Sequence, residues 1–504
     1  MWGCLLPTFS PELFASILAL IGVVILISSL LSGLVERTGL PQVAVFLALG
    51  AAIGPYGLGL VDVHLDSPIL RVVATLSLAL VLFMDAVSLN VSEVRAHRLL
   101  GFMVLGPGTL LSAVLIAVAA VWLLGIDPIL AAMIGAALAS TDPVLLRSIV
   151  RNPQLSSPVR QALRIESGLN DVVLLPIVLV AIAAATTHAE LGGAGWAKLA
   201  LSMVVLSPAA GIIVALAAIG ALELVRRRIG VRRDYESIFS LGIALAAFAA
   251  AESIHGSGFI AAFAAGLTIA TLDVELCDCF IEYGETTAEM ALLFSFVLFG
   301  VSLIWQGLAV ASPIALLFAL LVILIRPFAF VPALAPLRLP WRDRALLGWF
   351  GPRGLSSLLL ILLPAFAGVA GSQSILAVCA LVVLCSVLLH GFSPLFLFRA
   401  SPTPQEATQL PAIPQAPVPE PAAPPAASRT VVVPDGEYID PQQLRDFMTA
   451  DSNSVVLADA RSHRSFDESP FVLTTGVRLN PDRPADSARN LGLPREALIA
   501  AFCA

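Results

Sequence analysis

Long apolar runs recur along most of this chain and constrain its fold more than any other feature. Thirteen of them approach the length of about 20 residues that a helix needs to cross the hydrocarbon core of a bilayer. The predicted spans are 12–35, 41–60, 69–89, 99–124, 128–150, 159–187, 198–224, 237–253, 257–272, 287–305, 308–332, 345–369 and 373–398. The sequence therefore predicts an all-α polytopic membrane protein.

Charged residues are scarce in comparison with soluble proteins. They make up 12% of the 504 residues, whereas soluble domains carry about 25%.

The six cysteines show no disulfide framework, and Cys277 and Cys279 are too close together, with no histidine nearby, for a zinc site. The N-terminus lacks the charged region of a signal peptide. We expect no cofactor, no nucleic-acid partner and no enzymatic activity.

The basic residues lie mainly on one side of the predicted spans. If the loops are numbered in chain order, the odd-numbered ones hold about sixteen arginines, and the even-numbered ones hold little beyond Arg71 and Lys198. Because basic loops stay in the cytoplasm, we expect the N-terminus outside and the C-terminus in the cytoplasm of a bacterial inner membrane. The predicted cytoplasmic loop 273–289 is acidic instead. It is either a solvated surface or a collector of cations.

The composition changes after Ala400. Residues 1–400 form the predicted transmembrane domain, and residues 401–428 are rich in Pro and Ala, which is typical of an extended linker. From residue 429 to residue 504 the charges are mixed, and residues 454–459 and 496–502 are candidate strands. This last part is predicted to be a small α/β segment.

Two of the predicted spans are interrupted by a proline next to a charge. Asp142 precedes Pro143 in the fifth span, and the twelfth contains Gly-Pro-Arg-Gly at 351–354. An odd offset of seven spans gives the two breaks opposite directions, as in the inverted repeats that form the binding site of many secondary transporters. We expect Asp142 to compensate the positive N-termini of the half-helices and Arg353 the negative C-termini. The alternative is two simple proline kinks.

The sixth span carries a narrow polar stripe. One helical turn separates Glu166 from Asn170 and Ser167 from Asp171, so each pair lies on the same side of the helix. A carboxylate at membrane depth costs roughly 2.5–3.5 kcal/mol, so a chain that keeps several is expected to use them on a cation or a proton. We expect Arg326 of the eleventh span to pair with Glu166. The alternative for Arg326 is snorkelling to the cytoplasmic surface.

Hard oxygen ligands converge at this point of the predicted fold. The Asp171 carboxylate and the Ser167 hydroxyl could reach one ion, with the Asp142 carboxylate and a Thr141 carbonyl facing it from the broken fifth span. Such ligands suit alkali or alkaline-earth cations. Mutual repulsion and lost hydration of the two Asp side chains favour protonation. Our hypothesis is that a proton and a cation compete for the oxygens of Asp171, which is sufficient for coupled exchange.

Taken together, these motifs resemble those of the bacterial NhaP-type sodium/proton antiporters of the monovalent cation/proton antiporter superfamily. The resemblance rests on Thr141-Asp142-Pro143, on the run from Glu166 to Asp171, on Arg326-Pro327 and on Gly351 to Gly354, and it covers residues 12–398. It implies a thirteen-helix fold with two inverted six-helix repeats, in which helices 5 and 12 are broken. It also implies a homodimer in the lipid bilayer.

The resemblance further implies a role for each matching residue. Asp171 is implied to be the ion and proton carrier, and Asp142, Thr141 and Ser167 are implied to be co-ligands of Na⁺. Glu166 is implied to bind through water and to pair with Arg326. The electrogenic branch has Asp at the position of Asn170, so the resemblance implies electroneutral exchange of one proton per cation.

The C-terminal segment resembles the beginning of a rhodanese-like domain. Asp459 and Arg461 follow the first candidate strand, as in the Asp-x-Arg signature, and the second candidate strand leads to Cys503, the position of the sulfur-carrying cysteine. The loop that would stabilise a thiolate there is missing after Ala504. We therefore favour an incomplete segment over sulfur transfer at Cys503.

Several functions remain open at this stage. The leading one is an antiporter exchanging Na⁺, or K⁺ or Li⁺, for H⁺. The alternatives are a K⁺/H⁺ antiporter, a membrane-anchored sulfurtransferase or sulfur-sensing protein, and a channel or symporter on a related inverted-repeat fold. The polar residues are concentrated in the membrane part, which favours a transporter over an enzyme.

Overall fold

The computed structural model describes most of the predicted transmembrane domain and short pieces of the C-terminal segment. The described residues are 42–60, 67–89, 91–150, 152, 155–186, 192–228, 233–272 and 278–397, with residues 22, 23, 26 and 30 and the pieces 455–459, 477–479, 487–489, 491 and 498–502. By contact density the chain divides into two compact units, Met1–Pro404 and Gln405–Ala504. The predicted linker 401–428 lies outside the described residues.

The described part of the first unit consists of helices joined by short turns. In chain order its helices are α1 (Gln42–Ile53), α2 (Pro68–Val87), α3 (Val91–Ala96), α4 (Arg98–Met103), α5 (Leu111–Leu124), α6 (Pro128–Ala139), α7 (Pro143–Val150), α8 (Ser157–Thr186), α9 (Gly193–Leu201), α10 (Ser207–Arg228), α11 (Arg233–Ser253), α12 (Gly258–Leu272), α13 (Asp278–Ala309), α14 (Pro313–Ala333), α15 (Trp341–Trp349), α16 (Leu355–Phe366) and α17 (Ser372–Leu397). Turns of π-helix, Val104–Leu110 and Ser202–Leu206, join α4 to α5 and α9 to α10.

A helix lies within each predicted span that the structure describes, although the span predicted at 41–60 is helical only from Gln42 to Ile53. Eight helical segments of the described part are long and apolar enough to cross a bilayer, and four shorter apolar helices accompany them. The chain is thus a multi-pass membrane protein. Of the first predicted span, 12–35, only residues 22, 23, 26 and 30 are described, and all four are helical. The total of thirteen spans therefore stays a prediction.

The fifth and twelfth predicted spans are each broken into two half-helices. The fifth consists of α6 and α7, separated by residues 140–142, and the twelfth of α15 and α16, separated by residues 350–354. α6 and α7 begin at Pro128 and Pro143, where a missing N–H costs no helical hydrogen bond. Nearly every residue of α6 from Met133 onward and of α16 up to Leu362 is buried, so the two breaks lie in the protein interior.

Close packing of small residues holds the helices around these breaks. At the crossing of α1 and α13, a Cβ on Gly50 would lie 2.1 Å from the carbonyl oxygen of Val297, and one on Gly300 would lie 2.3 Å from that of Leu47. The two backbones are therefore in direct contact, an arrangement that membrane helices use to gain van der Waals packing.

The described pieces of the second unit form a small parallel sheet. Its strands are β1 (Val455–Asp459), β2 (Val477–Arg478) and β3 (Leu498–Phe502), in the order β2-β1-β3. The two strands predicted at 454–459 and 496–502 are confirmed over their described residues, 455–459 and 498–502. Arg461 and Cys503 lie outside the described residues, and the rhodanese-like character of the segment stays a prediction.

Candidate ion-binding site

Asp142 joins the beginnings of two half-helices. It is buried in the break before α7, and its Oδ1 accepts hydrogen bonds from the backbone N–H groups of Val144 (2.8 Å) and Leu145 (3.2 Å). Its Oδ2 accepts one from the N–H of Leu355, the first residue of α16, at 2.6 Å. Its own N–H donates to the carbonyl of Pro352 at 2.9 Å. One carboxylate thus compensates the positive ends of both helices.

Arg353 faces the opposite pole of the same crossing. Its Nη1 donates to the carbonyls of Ala139 (3.2 Å) and Ser140 (3.4 Å), where α6 ends. Its backbone N–H donates to the hydroxyl of Ser386 on α17 at 2.7 Å. That hydroxyl is also 3.0 Å from Nδ1 of the buried His390. The guanidinium therefore lies at the negative end of α6, as the sequence predicts, and His390 is a hydrogen-bonded structural residue.

Arg326 of α14 forms a buried ion pair with Glu166 of α8. Nη2 donates to Oε2 at 2.6 Å and Nη1 to Oε1, so the pair is bidentate. Nη2 also donates to the carbonyls of Leu347 (3.1 Å) and Phe350 (3.4 Å) at the end of α15. The guanidinium carbon lies 4.0 Å from the ring centre of Phe330. The predicted pairing is present, and the snorkelling alternative is wrong because only 2% of Arg326 is exposed.

Two glycines of the second break make room for these side chains. A Cβ on Gly351 would lie 2.0 Å from Nε of Arg326, and a Cβ on Gly354 would lie 2.1 Å from Oδ2 of Asp142. No non-bonded carbon approaches a nitrogen or oxygen so closely. The two glycines of Gly-Pro-Arg-Gly therefore allow Arg326 and Asp142 to approach the backbone, in addition to their part in the break itself.

Thr141 and Asn170 connect the two sides of the cluster. The Thr141 hydroxyl donates to Oε1 of Glu166 at 3.0 Å and accepts from Nη1 of Arg326 at 3.1 Å. The Thr141 carbonyl accepts a hydrogen bond from Nδ2 of Asn170 at 3.2 Å. Oδ1 of Asn170 is buried and has no hydrogen-bond partner among the described residues. Two hard oxygens, the Thr141 carbonyl and Oδ1 of Asn170, thus belong to this cluster. Asn170 directly precedes Asp171 on α8.

Asp171 is held more loosely than the other two carboxylates. It is 3% exposed, and its Oδ1 accepts a hydrogen bond from the hydroxyl of Ser140. Ser356 on α16 also lies beside this carboxyl. Oδ2 is buried without a hydrogen-bond partner in the part of the chain that the structure describes. The site therefore contains a carboxylate oxygen with unused lone pairs.

Ser167 differs from the other residues singled out in the sequence. It is half-buried, and its hydroxyl donates to the carbonyl of Arg164 within its own helix at 3.3 Å. The hydroxyls beside Asp171 come from Ser140 and Ser356 instead, which sequence reasoning did not select. The available signal was their position, since each is a polar residue in an apolar stretch within two residues of a break.

Comparison with known proteins identifies relatives over the whole transmembrane part. The family model described as "Sodium/hydrogen exchanger, transmembrane" matches residues 22–400. The K(+)/H(+) antiporter NhaP of Alkalimonas amylolytica is 26% identical over 384 residues, which are 74% of this chain and 64% of that antiporter. The K(+)/H(+) antiporter NhaP2 of Shewanella sp. (strain ANA-3) is 28% identical over 383 residues, 73% of this chain and 64% of that protein.

A solved structure shares the fold. The sodium proton antiporter MjNhaP1 of Methanocaldococcus jannaschii, solved at pH 8, superposes with a TM-score of 0.62 at 19% identity, covering 76% of this chain and 96% of that one. The present chain spans 64% of the length of each of the two sequence relatives. Because the family match runs from residue 22 to residue 400, across both broken helices, the chain belongs to the transmembrane sodium/hydrogen exchanger family.

Proposed function

We propose that this chain is a secondary active antiporter that exchanges a monovalent cation for H⁺ across the bacterial inner membrane. The cation is Na⁺ in the leading form of the proposal, with K⁺ or Li⁺ as alternatives. The observation that carries it is the buried Asp171 carboxylate, which has one oxygen bonded to a serine hydroxyl and the other without a partner among the described residues. Such an oxygen is available to a proton or to a small cation, and occupancy by one excludes the other.

The neighbouring carboxylates are committed to other partners, which supports Asp171 as the exchanging group. Asp142 accepts hydrogen bonds from three backbone N–H groups. Glu166 is paired bidentately with Arg326. Removing one partner of a buried ion pair costs about 3–5 kcal/mol, so Glu166 does not leave Arg326 during transport.

The different partners of the three carboxylates also support a ratio of one proton per cation. Asn170 has no ionisable group, and Asp142 and Glu166 are proposed to keep their hydrogen-bond and ion-pair partners. Asp171 alone then changes partner, releasing one proton for each monovalent cation bound. The exchange is therefore proposed to be electroneutral, with a rate that does not change when the membrane potential is clamped at zero.

The cation is proposed to bind between α6–α7 and α8. Its ligands are Asp171 and the carbonyl of Thr141, with Asp142 as a charged neighbour and Glu166 reached through water. Ser167 joins them as a co-ligand if its hydroxyl turns away from the carbonyl of Arg164. All of these are hard oxygen ligands, which suit alkali cations.

Alternating access and assembly complete the proposal. The broken helices and α8 move together and expose the site to one side of the membrane at a time, as inverted-repeat transporters do. The distribution of arginines supports an external N-terminus and a cytoplasmic C-terminus. A homodimer is the proposed assembly.

Purified protein in proteoliposomes with a trapped pH dye tests the proposal. Addition of Na⁺, K⁺ or Li⁺ to the wild type is expected to collapse an imposed pH gradient, and Asp171→Asn is expected to abolish the response. Asp127→Asn is the matched control, because Asp127 also precedes a proline at a helix start but is exposed and outside the cluster. Cation-driven proton flux through Asp171→Asn would refute the assignment.

The cation series also decides between the substrates. The two sequence relatives are named as K(+)/H(+) antiporters, which supports K⁺, and MjNhaP1 is named as a sodium proton antiporter, which supports Na⁺. Oxygen ligands alone do not distinguish the two ions, because cavity size sets that choice. The cation with the lowest half-saturating concentration in the series identifies the substrate.

A further inference from the structure

Two serine hydroxyls, one from each broken helix, lie next to the Asp171 carboxyl. Ser140 ends α6 with an extended backbone, and its hydroxyl donates to Oδ1 of Asp171. Ser356 is in the first turn of α16, directly after Leu355, whose backbone N–H is bonded to Asp142, and its side chain interacts with the Asp171 carboxyl. Both residues are buried, with exposures of 0% and 2%. Each broken helix thus supplies one buried hydroxyl near this carboxylate.

A hydroxyl that donates to a carboxylate still has lone pairs to offer. Serine carries one donor and two acceptor sites, so Ser140 can keep its bond to Oδ1 while its oxygen contacts a cation held by the same carboxylate. The other hydroxyl that the motifs suggested, Ser167, is bonded within its own helix. The hydroxyl of Thr141 is occupied between Glu166 and Arg326.

The backbone at Ser140 does not need this hydroxyl to hold its position. The Ser140 carbonyl accepts hydrogen bonds from Nη1 of Arg353 (3.4 Å) and from the hydroxyl of Ser357 (3.3 Å). An alanine at this position would keep both bonds. The Ser140 side chain is buried, points at the Asp171 carboxylate and is not needed by the backbone. Ligand binding therefore explains it better than support of the backbone does.

We propose that the hydroxyl oxygens of Ser140 and Ser356 are direct ligands of the transported cation. The inference rests on the proposed antiport at Asp171 and deepens it, because it assigns ligands that the two broken helices supply together. Because the broken helices and α8 are proposed to move together, these ligands stay with Asp171 throughout the transport cycle.

Four serine variants in the proteoliposome assay separate this inference from the proposed function. Ser140→Ala and Ser356→Ala are each expected to raise the half-saturating cation concentration by about three- to tenfold, as for the loss of one polar contact, with the maximal rate near that of the wild type. Ser140→Thr keeps a hydroxyl and is expected to restore the wild-type value. Ser112→Ala is the matched control, because Ser112 is equally buried and its hydroxyl donates to the carbonyl of Gly108, which is not part of the cluster.

A second readout does not depend on transport. Addition of the preferred cation is expected to raise the melting temperature of the purified wild type, and Ser140→Ala should need a several-fold higher cation concentration for the same rise. Failure of the wild type itself to exchange any cation would remove the proposed function. An active wild type with unchanged half-saturation in both alanine variants overturns the serine assignment, as does a loss of maximal rate alone. If Ser140→Ala does not fold, Ser356→Ala and Ser140→Thr carry the same test.

Discussion

The carboxylate of Asp142 accepts a hydrogen bond of 2.6 Å from the backbone N–H of Leu355, which lies 213 residues further along the chain. The same carboxylate caps α7. Arg353, in the second break, donates a hydrogen bond to the carbonyl of Ala139 at the end of α6. Neither break can form alone without leaving a buried helix end uncompensated. The two broken helices therefore fold as one unit, and the proposed cation site is built on it.

Replacement of Asp142 tests this mutual dependence. Asp142→Asn removes the negative charge and replaces one accepting oxygen by an NH₂ group. The N–H groups at one of the two helix starts then lose their hydrogen-bond acceptor. We expect a loss of about 1–3 kcal/mol of stability, the usual cost of an unsatisfied buried group. The melting temperature of the purified protein in detergent measures it.

The control for this substitution is Asp127→Asn at the start of α6. The Asp127 carboxylate accepts one hydrogen bond, from the N–H of Ile129 at 2.8 Å, at an exposed position. Asn caps a helix about as well as Asp, so little change is expected there. Equal melting temperatures for the two variants would contradict the double-capping role of Asp142.

The charged framework of the site was accessible from the sequence. A charge beside a helix-breaking proline in an apolar span has few ways to be satisfied, and the ends of the broken helices provide them. This reasoning predicted the places of Asp142 and Arg353, and the scarcity of intramembrane charges predicted the pairing of Glu166 with Arg326. All three arrangements are present in the structure.

The serine hydroxyls near Asp171 were not accessible from the sequence in the same way. Helical periodicity places Ser167 one turn from Asp171 on α8, but it says nothing about which side chains of another helix face them. That depends on how the two breaks cross. The crossing brings Ser140 to Asp171 through an extended residue at the end of α6, a local geometry that periodicity does not encode.

The ion pair between Glu166 and Arg326 is expected to be costly to break from either side. Glu166→Gln or Arg326→Met leaves the other charge buried without its partner, and each single substitution should cost about 3–5 kcal/mol. The double variant removes both charges and should be more stable than the sum of the single effects implies. A double-mutant cycle on unfolding in detergent measures the coupling.

Arg344→Lys is the control for the arginine position. Arg344 of α15 packs over Trp341 and donates to the carbonyl of Val331 of α14, the helix that carries Arg326, at 3.4 Å. A change of less than about 1 kcal/mol is expected there, because lysine keeps the positive charge at this half-buried position. Additive effects of Glu166→Gln and Arg326→Met would show that the pair contributes no coupling.

The hydroxyl of Ser386 is expected to hold the second break through the backbone N–H of Arg353. Ser386→Ala leaves this buried N–H without its 2.7 Å partner and should cost about 1–3 kcal/mol, measured by thermal unfolding. Ser112→Ala is the control, because Ser112 is also buried but donates to the carbonyl of Gly108 within its own part of the chain. A larger effect of the control would contradict this role for Ser386.

The glycines at 351 and 354 are expected to tolerate no side chain. A methyl group on Gly351 overlaps the Arg326 guanidinium, and one on Gly354 overlaps the Asp142 carboxylate, so either alanine must displace a buried charge from its partners. We expect both variants to lose folded protein, measured as the monodisperse fraction after detergent extraction. Gly220→Ala in α10 is the control, because no atom lies within 4 Å of its added Cβ, and alanine in a helix is favoured by about 1 kcal/mol. Wild-type yields of Gly351→Ala or Gly354→Ala would show that the charged cluster adapts to a side chain there.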